Sequence, residues 1–191
     1  MPNAEIAIAF SGHYNDLTFV SENFKDAKKI AWLHGDETSY NDIAPGYFAL
    51  YQKIKNLVCL SEKNDDRSEK FNKKNEINKA MIYNPINLEG RKIDKKLVES
   101  LKQRHGDFIL MVGRMAKDKD QATLIRALSY LEKKYKLKKK MILVGDGPER
   151  ESLENLVKEN QLEKQVFFAG AHYDVQNYYM AASVYAHSSP A

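Results

Sequence analysis

Residues 140–160 read KMILVGDGPERESLENLVKEN. An uninterrupted apolar run, Met141 to Val144, breaks at Gly145-Asp146-Gly147, and Pro148 opens a second segment. In that segment Leu153, Leu156 and Val157 recur at helical spacing. Proline suits the first turn of a helix, where the N–H it lacks would have no partner. The stretch reads as strand, tight turn, helix. An apolar run without polar alternation marks a strand covered on both faces, as in parallel sheets flanked by helices.

The neighbouring stretches repeat this unit. Upstream, DFILMVGR (107–114) predicts a strand, and DQATLIRALSYLEKKY (120–135) places Leu124, Ile125, Leu128 and Leu131 on one helical face. Downstream, QVFFAG (165–170) and SVYAHSS (183–189) predict strands, with a short helix in DVQNYYMAA (174–182) between them. The order β-α-β-α-β-α-β over 107–191 is the first part of a doubly wound α/β domain. Residues 89–106 are polar, with one amphipathic piece, KLVESLKQR (96–104), and read as a connector. In 1–88, EIAIAF (5–10), KKIAWLHGD (28–36), NLVCLSE (56–62) and KAMIYNPIN (79–87) predict four strands. A helix is predicted over 43–55, and a polar one in DDRSEKFNKKN (65–75). The fold class is therefore α/β, with two incomplete Rossmann-like parallel-sheet halves.

Composition narrows the function. Hydrophobic residues are 43% and charged residues 29%, the profile of a globular protein rather than a disordered one. The longest apolar runs last a handful of residues, far short of the ~20 that span a bilayer, and MPNAEIAIAF (1–10) lacks the basic start of a signal peptide. The single cysteine, Cys59, cannot pair within the chain, which suits a reducing, cytoplasmic setting. Net charge is +4. Its densest source, EKKYKLKKK (132–140), reads either as a solvated helix C-terminus or as a patch for anionic lipid headgroups at the inner face of a membrane. Nucleic acid is not an expected partner: no binding module is recognisable.

Ligands of open α/β sheets sit at the carboxyl ends of strands. In VGRMAKDKD (112–120), Gly113 permits a tight turn, and Arg114 and Lys119 leave the same loop as a planar fork and a point charge able to neutralise a diphosphate. VGDGPER (144–150) approaches the dinucleotide fingerprint G-x-G-x-x-G but has Arg150 at the third glycine, and Glu149 and Glu151 repel phosphate from the helix start. A tight turn lining a site fits better than a phosphate cradle. In AWLHGDE (31–37), His34 ends a strand beside Gly35, with Asp36 and Glu37 following, and an imidazole there can serve near neutral pH. Neither the histidine spacing nor Cys59 suggests a metal site.

Together these stretches resemble the retaining family 4 glycosyltransferases, of the glycosyl transferases group 1 type, which have the two-domain GT-B fold. The resemblance rests on ILMVGRMAKDKDQATLIRAL (109–128), MILVGDGPERESLENL (141–156) and QVFFAGAHYDVQNYYMAASVYAHSS (165–189). KKIAWLHGD, NLVCLSE and MIYNPIN (81–87) match the back half of the N-terminal domain. It implies a latter part of the acceptor-side domain at 1–88, a connector at 89–106 and the first part of the donor domain at 107–191. It further implies that Arg114 and Lys119 hold the diphosphate of a UDP- or GDP-sugar. Gly113, Gly145, Tyr173 and Val175 then line the donor site, and His34 faces the transferred sugar. No metal or cofactor is expected. The acceptor is expected to be a glycan or a lipid-linked sugar in polysaccharide biosynthesis. The sequence departs from the family in carrying Asp120 where a glycine usually follows the lysine, and no E-x7-E acids follow SVYAHSS. The chain is accordingly expected to be a fragment lacking both ends, inactive alone. The alternative is a non-catalytic nucleotide- or partner-binding module.

Overall fold

The computed structural model describes residues 4–35, 37–60, 66–86 and 91–189. Asp36, noted above beside His34, lies outside the described residues. The chain divides into two compact units, Met1–Asn87 and Leu88–Ala191.

The first unit runs β1 (Ile6–Ala9), α1 (Tyr14–Asn23), β2 (Lys28–Leu33), α2 (Glu37–Ile43), α3 (Tyr47–Ile54), β3 (Asn56–Cys59), α4 (Asp66–Lys74), β4 (Asn78–Met81). Its four strands form one parallel sheet in chain order. Ala7, Ala9, Ala31, Leu33, Leu57 and Cys59 point to one face and are buried with Leu17 and Val20 of α1 and Leu50, Tyr51 and Ile54 of α3. Small alanines on β1 and β2 let these helices approach closely. Strand β1 departs from the expected buried run: Ala7 and Ala9 are covered while Ile6 and Ile8 are exposed. The helix expected over 43–55 starts later, as α3 at Tyr47, and the unexpected α2 precedes it. Pro45 cannot donate to a helical ladder, and Gly46 takes φ +117°, so the chain breaks between α2 and α3.

The second unit runs α5 (Lys95–His105), β5 (Phe108–Val112), a single 3-10 turn (Lys117–Lys119), α6 (Gln121–Tyr135), β6 (Lys140–Val144), α7 (Arg150–Glu159), β7 (Val166–Gly170), α8 (Gln176–Ala181), β8 (Val184–Tyr185). The parallel sheet has the order β7-β6-β5-β8. One face is packed by Ile125 and Leu128 of α6 and Leu153 and Val157 of α7. On the other, Leu101 of α5 and Tyr178 and Ala181 of α8 cover Phe108, Leu110, Ile142 and Val144. Helix α5, within the segment read as a connector, thus belongs to the second unit. Asp94 caps it by accepting from the Lys96 and Leu97 amides, and the Asp94 amide donates to Asn177 Oδ1 of α8 at 2.8 Å.

Candidate active site

The chain leaves β5 toward β6 and later returns to place β8 on the opposite side of β5. Strand order reverses there, and a crevice opens outside the carboxyl ends at such a switch point. β5 delivers Gly113 and Arg114 to it, and β8 delivers Ser188 and Ser189.

Hydrogen bonds from five residues hold the 113–120 loop. The Gly113 amide donates to Val144 O at 2.9 Å and the Met115 amide to Asp146 O at 2.9 Å. Buried Gln121 donates from Nε2 to Arg114 O at 2.9 Å. Ser188 Oγ donates to Asp120 O at 2.6 Å, and Ser189 Oγ to Asp118 O at 2.7 Å. Arg114 itself is exposed and has no ion pair among the described residues. Lys119 is half-buried and pairs with Asp118 at 3.3 Å. Its Cγ would lie 4.0 Å from a Cβ at Gly113, so the lysine stem runs beside the strand end. Asp120, where the resemblance expects glycine, takes the left-handed φ of +49°. Its carboxylate caps α6, accepting from Thr123 N at 3.3 Å and Thr123 Oγ1 at 2.7 Å, which offsets the strain of that conformation.

The Gly145-Asp146-Gly147 turn has a different purpose from a phosphate cradle. A Cβ on Gly145 would stand 2.0 Å from Gly113 O, and one on Gly147 2.4 Å from Met115 O. These glycines let the turn after β6 press against the turn after β5, bracing the Arg114 loop. Arg150, at the third glycine position, bonds Glu154 at 2.9 Å, lies 3.6 Å from Asp146 and stacks over Phe168. Beyond β7, Tyr173 is fully exposed while Val175 packs against the core of the unit, so these two part company. The loop between them is clasped by His172, whose Nδ1 lies 3.4 Å from Asp174, and by Tyr178 Oη, 3.0 Å from His172 Nε2. Asp174 is held below the usual carboxylate range by backbone and Asn177 hydrogen bonds.

In the first unit, exposed His34 stands at the carboxyl end of β2, its Nε2 2.9 Å from Phe10 O. With Nε2–H donating to that carbonyl, Nδ1 is left as the free acceptor. The turn after β1 lies alongside: a Cβ on Gly12, at φ +67°, would sit 2.8 Å from Trp32 O. This turn, with His13 in it, was not singled out by sequence reasoning, although a glycine directly past an apolar run was a usable signal. Glu37, read in the sequence only as an acid following His34, proves to be a buried structural tie. It is 3% exposed and bonds Lys79 at 2.7 Å and Asn72 Nδ2 at 2.8 Å, with Cys59 Sγ at 3.5 Å. Its carboxylate therefore ties the start of α2, three residues past His34, to α4, β3 and β4. Burial and then Glu37 push the Cys59 thiol up to about 12, and the same causes raise the Tyr51 phenol. Burial alone would lower Lys79, but its hydrogen bond and charge contact with Glu37 prevail and raise it. Among the described residues no group of three His, Cys, Asp or Glu could hold a metal ion.

The family model for glycosyl transferases group 1 matches residues 92–190. The chain belongs to this family. Over 109 residues it is 34% identical to N-acetylgalactosamine-N,N'-diacetylbacillosaminyl-diphospho-undecaprenol 4-alpha-N-acetylgalactosaminyltransferase of Campylobacter jejuni, covering 57% of this chain and 28% of that one. It is 30% identical over 127 residues to the lipopolysaccharide core biosynthesis glycosyltransferase LpsD of Rhizobium meliloti, covering 66% and 34%. The structure of Anabaena Alr3699/HepE in complex with UDP matches with a TM-score of 0.72 at 20% identity, over 98% of this chain and 54% of that one. A glycosyltransferase from Rickettsia africae matches with a TM-score of 0.68 at 18% identity, over 98% and 52%. The fold is that of GT-B glycosyltransferases, with two parallel α/β halves. The aligned stretches span about a third or less of the curated relatives, and the chain about half of these solved structures.

Proposed function

We propose that the second unit binds the diphosphate of a nucleotide-sugar, UDP- or GDP-linked, in a retaining hexosyl transfer. The observation that carries this reading is Arg114: exposed and without an ion pair among the described residues, on a braced loop at the switch point. When the glycosidic C–O bond breaks, negative charge collects on the departing diphosphate oxygen. The Arg114 guanidinium and Lys119 ammonium stabilise that charge with no metal required by the scheme. Lys119 must exchange Asp118 for phosphate, an exchange the half-exposed pair makes at little cost. His34 supports the oxocarbenium-like sugar, its free Nδ1 accepting from a sugar hydroxyl. Gly113 and Gly145 shape the floor of the site, with exposed Tyr173 on the side of the base and Val175 anchoring that loop to the core of the unit. The acceptor is a glycan or a lipid-linked sugar. The Campylobacter relative, named for transfer onto a diphospho-undecaprenol acceptor, and the UDP held by the Anabaena protein support this choice. The proposed setting is the cytoplasmic face of a membrane; no helix of the described residues is long and apolar enough to cross one.

Calorimetric titration of UDP and GDP tests the reading. One nucleotide should bind saturably, and Arg114→Ala should weaken it about 10- to 100-fold, the worth of one charged bidentate contact. Equal affinity in wild type and Arg114→Ala contradicts the assignment. Binding without turnover is what this reading proposes for these residues. Binding with donor hydrolysis lost on Arg114→Ala would instead assign turnover to them, and binding without hydrolysis leaves the non-catalytic module as the second reading.

A further inference from the structure

At the amino ends of the second unit's strands, far from the switch point, lies a second built surface. Six lysines occur in 133–140, and Lys133, Lys134, Lys136, Lys138 and Lys139 are exposed. Lys138 pairs with Glu132 at 3.3 Å, and Lys140 donates to Arg104 O at 3.3 Å. Lys133, Lys136 and Lys139 have no ion pair among the described residues. The nearby acids are Glu132, already paired, Asp107, which accepts from Ser183 Oγ, and Glu159, beside Lys133 and Lys136. Interleaved with the lysines, Tyr130, Tyr135 and Leu137 are 52%, 59% and 45% exposed. A cleft of about 220 Å³ opens beside them, lined mainly by the apolar Phe108, Leu131, Leu137 and Val184, with Lys139 and Asp107 also in its lining.

We propose that this surface docks on an anionic lipid bilayer, with lysines at the headgroups and the tyrosines and Leu137 cleft at the acyl boundary. Each class of component has a place in that arrangement: cations for the surface potential, phenols for the interface, an apolar cleft for hydrocarbon. Nucleic acid fits less well. Its bases need free aromatic faces, and here the Lys134 ammonium already lies 5.0 Å from the Tyr130 ring centre and 5.3 Å from that of Tyr135. A second copy of the chain fits less well too, because a two-fold contact would set this lysine cluster against itself. Docking here leaves the Arg114 loop at the opposite strand ends, about 16 Å away along five residues, so the contact tethers the unit and leaves the crevice open. The proposal does not depend on nucleotide binding, and its test needs none.

The chain is sedimented with phosphatidylcholine vesicles, with and without phosphatidylglycerol, at low and high salt. Binding should require phosphatidylglycerol and weaken with salt. Lys133→Gln, Lys136→Gln, Lys139→Gln together should lower it on the order of 100-fold, about fivefold for each lysine. Lys70→Gln, Lys73→Gln, Lys74→Gln on α4 remove the same charge elsewhere and should leave it unchanged. Leu137→Asn should lower the binding that survives high salt. No binding to phosphatidylglycerol vesicles at low salt would overturn the proposal, as would equal loss in both triple variants or an unchanged Leu137→Asn. Lysine-dependent capture of a single-stranded oligonucleotide, with no capture by vesicles, would also overturn it.

Discussion

The substitution Gly145→Ala probes whether the turn after β6 braces the Arg114 loop. Two costs arise at that position. At φ +140° an alanine is strained by about 1–3 kcal/mol. Its Cβ would also stand 2.0 Å from Gly113 O, more than 1 Å inside a normal contact, so the turn after β5 must move. Overpacking of that kind costs about 1–3 kcal/mol more. The sum is about 2–6 kcal/mol, enough to consume much of a domain's stability. Gly106 supplies the control, since it has φ +64° but nothing within 4 Å of an added Cβ. Gly106→Ala should cost only the backbone strain, about 1–3 kcal/mol, since φ +64° with ψ −139° is a conformation that glycine alone adopts readily. Urea denaturation followed by circular dichroism should place the Gly145→Ala midpoint well below that of Gly106→Ala. Equal midpoints would refute the close approach of the two turns.

Glu37→Gln should destabilise the first unit by about 2–3 kcal/mol, below the roughly 3–5 kcal/mol for breaking a fully buried pair because a third of the Lys79 side chain is exposed. Trp32, the single tryptophan, reports this in denaturation followed by fluorescence. Because the Lys79 pKa is raised on folding, its contribution is fully present below the ordinary lysine pKa and lost as pH rises through the folded value. Alkali above that range should therefore narrow the gap between wild type and Glu37→Gln, and a gap independent of pH would contradict the pairing. The Cys59 thiol, 5% exposed and with its pKa pushed up to about 12, should resist alkylation at neutral pH until the chain is unfolded. Rapid labelling of the native chain would contradict its burial.

The second unit was legible because its signals are local. The Met141–Val144 run, the glycine turn and the Leu153, Leu156 and Val157 stripe each announce an element within a few residues, and the order of such units implies the topology. The placement of Arg114, Lys119 and His34 beyond strand ends was legible for the same reason: each follows a readable strand. The first unit hid more. Helix α2 carries no apolar stripe, so nothing in ETSYNDI reveals it. The partners of Glu37 come from positions 59, 72 and 79, a constellation that only the folded chain assembles. The reason for Gly145 was also hidden. Spacing suggested a turn, but the atom it accommodates belongs to residue 113 of another strand end.

The crevice at β5 and β8 is assigned the grip on a nucleotide diphosphate. Amide chemical-shift mapping of the labelled chain during titration with UDP and GDP tests it most directly. One nucleotide should shift the amides of Gly113, Arg114 and Lys119 in a saturable way, and Lys119→Ala should suppress those shifts. Shifts confined to other residues, or none at millimolar nucleotide, would contradict the assignment.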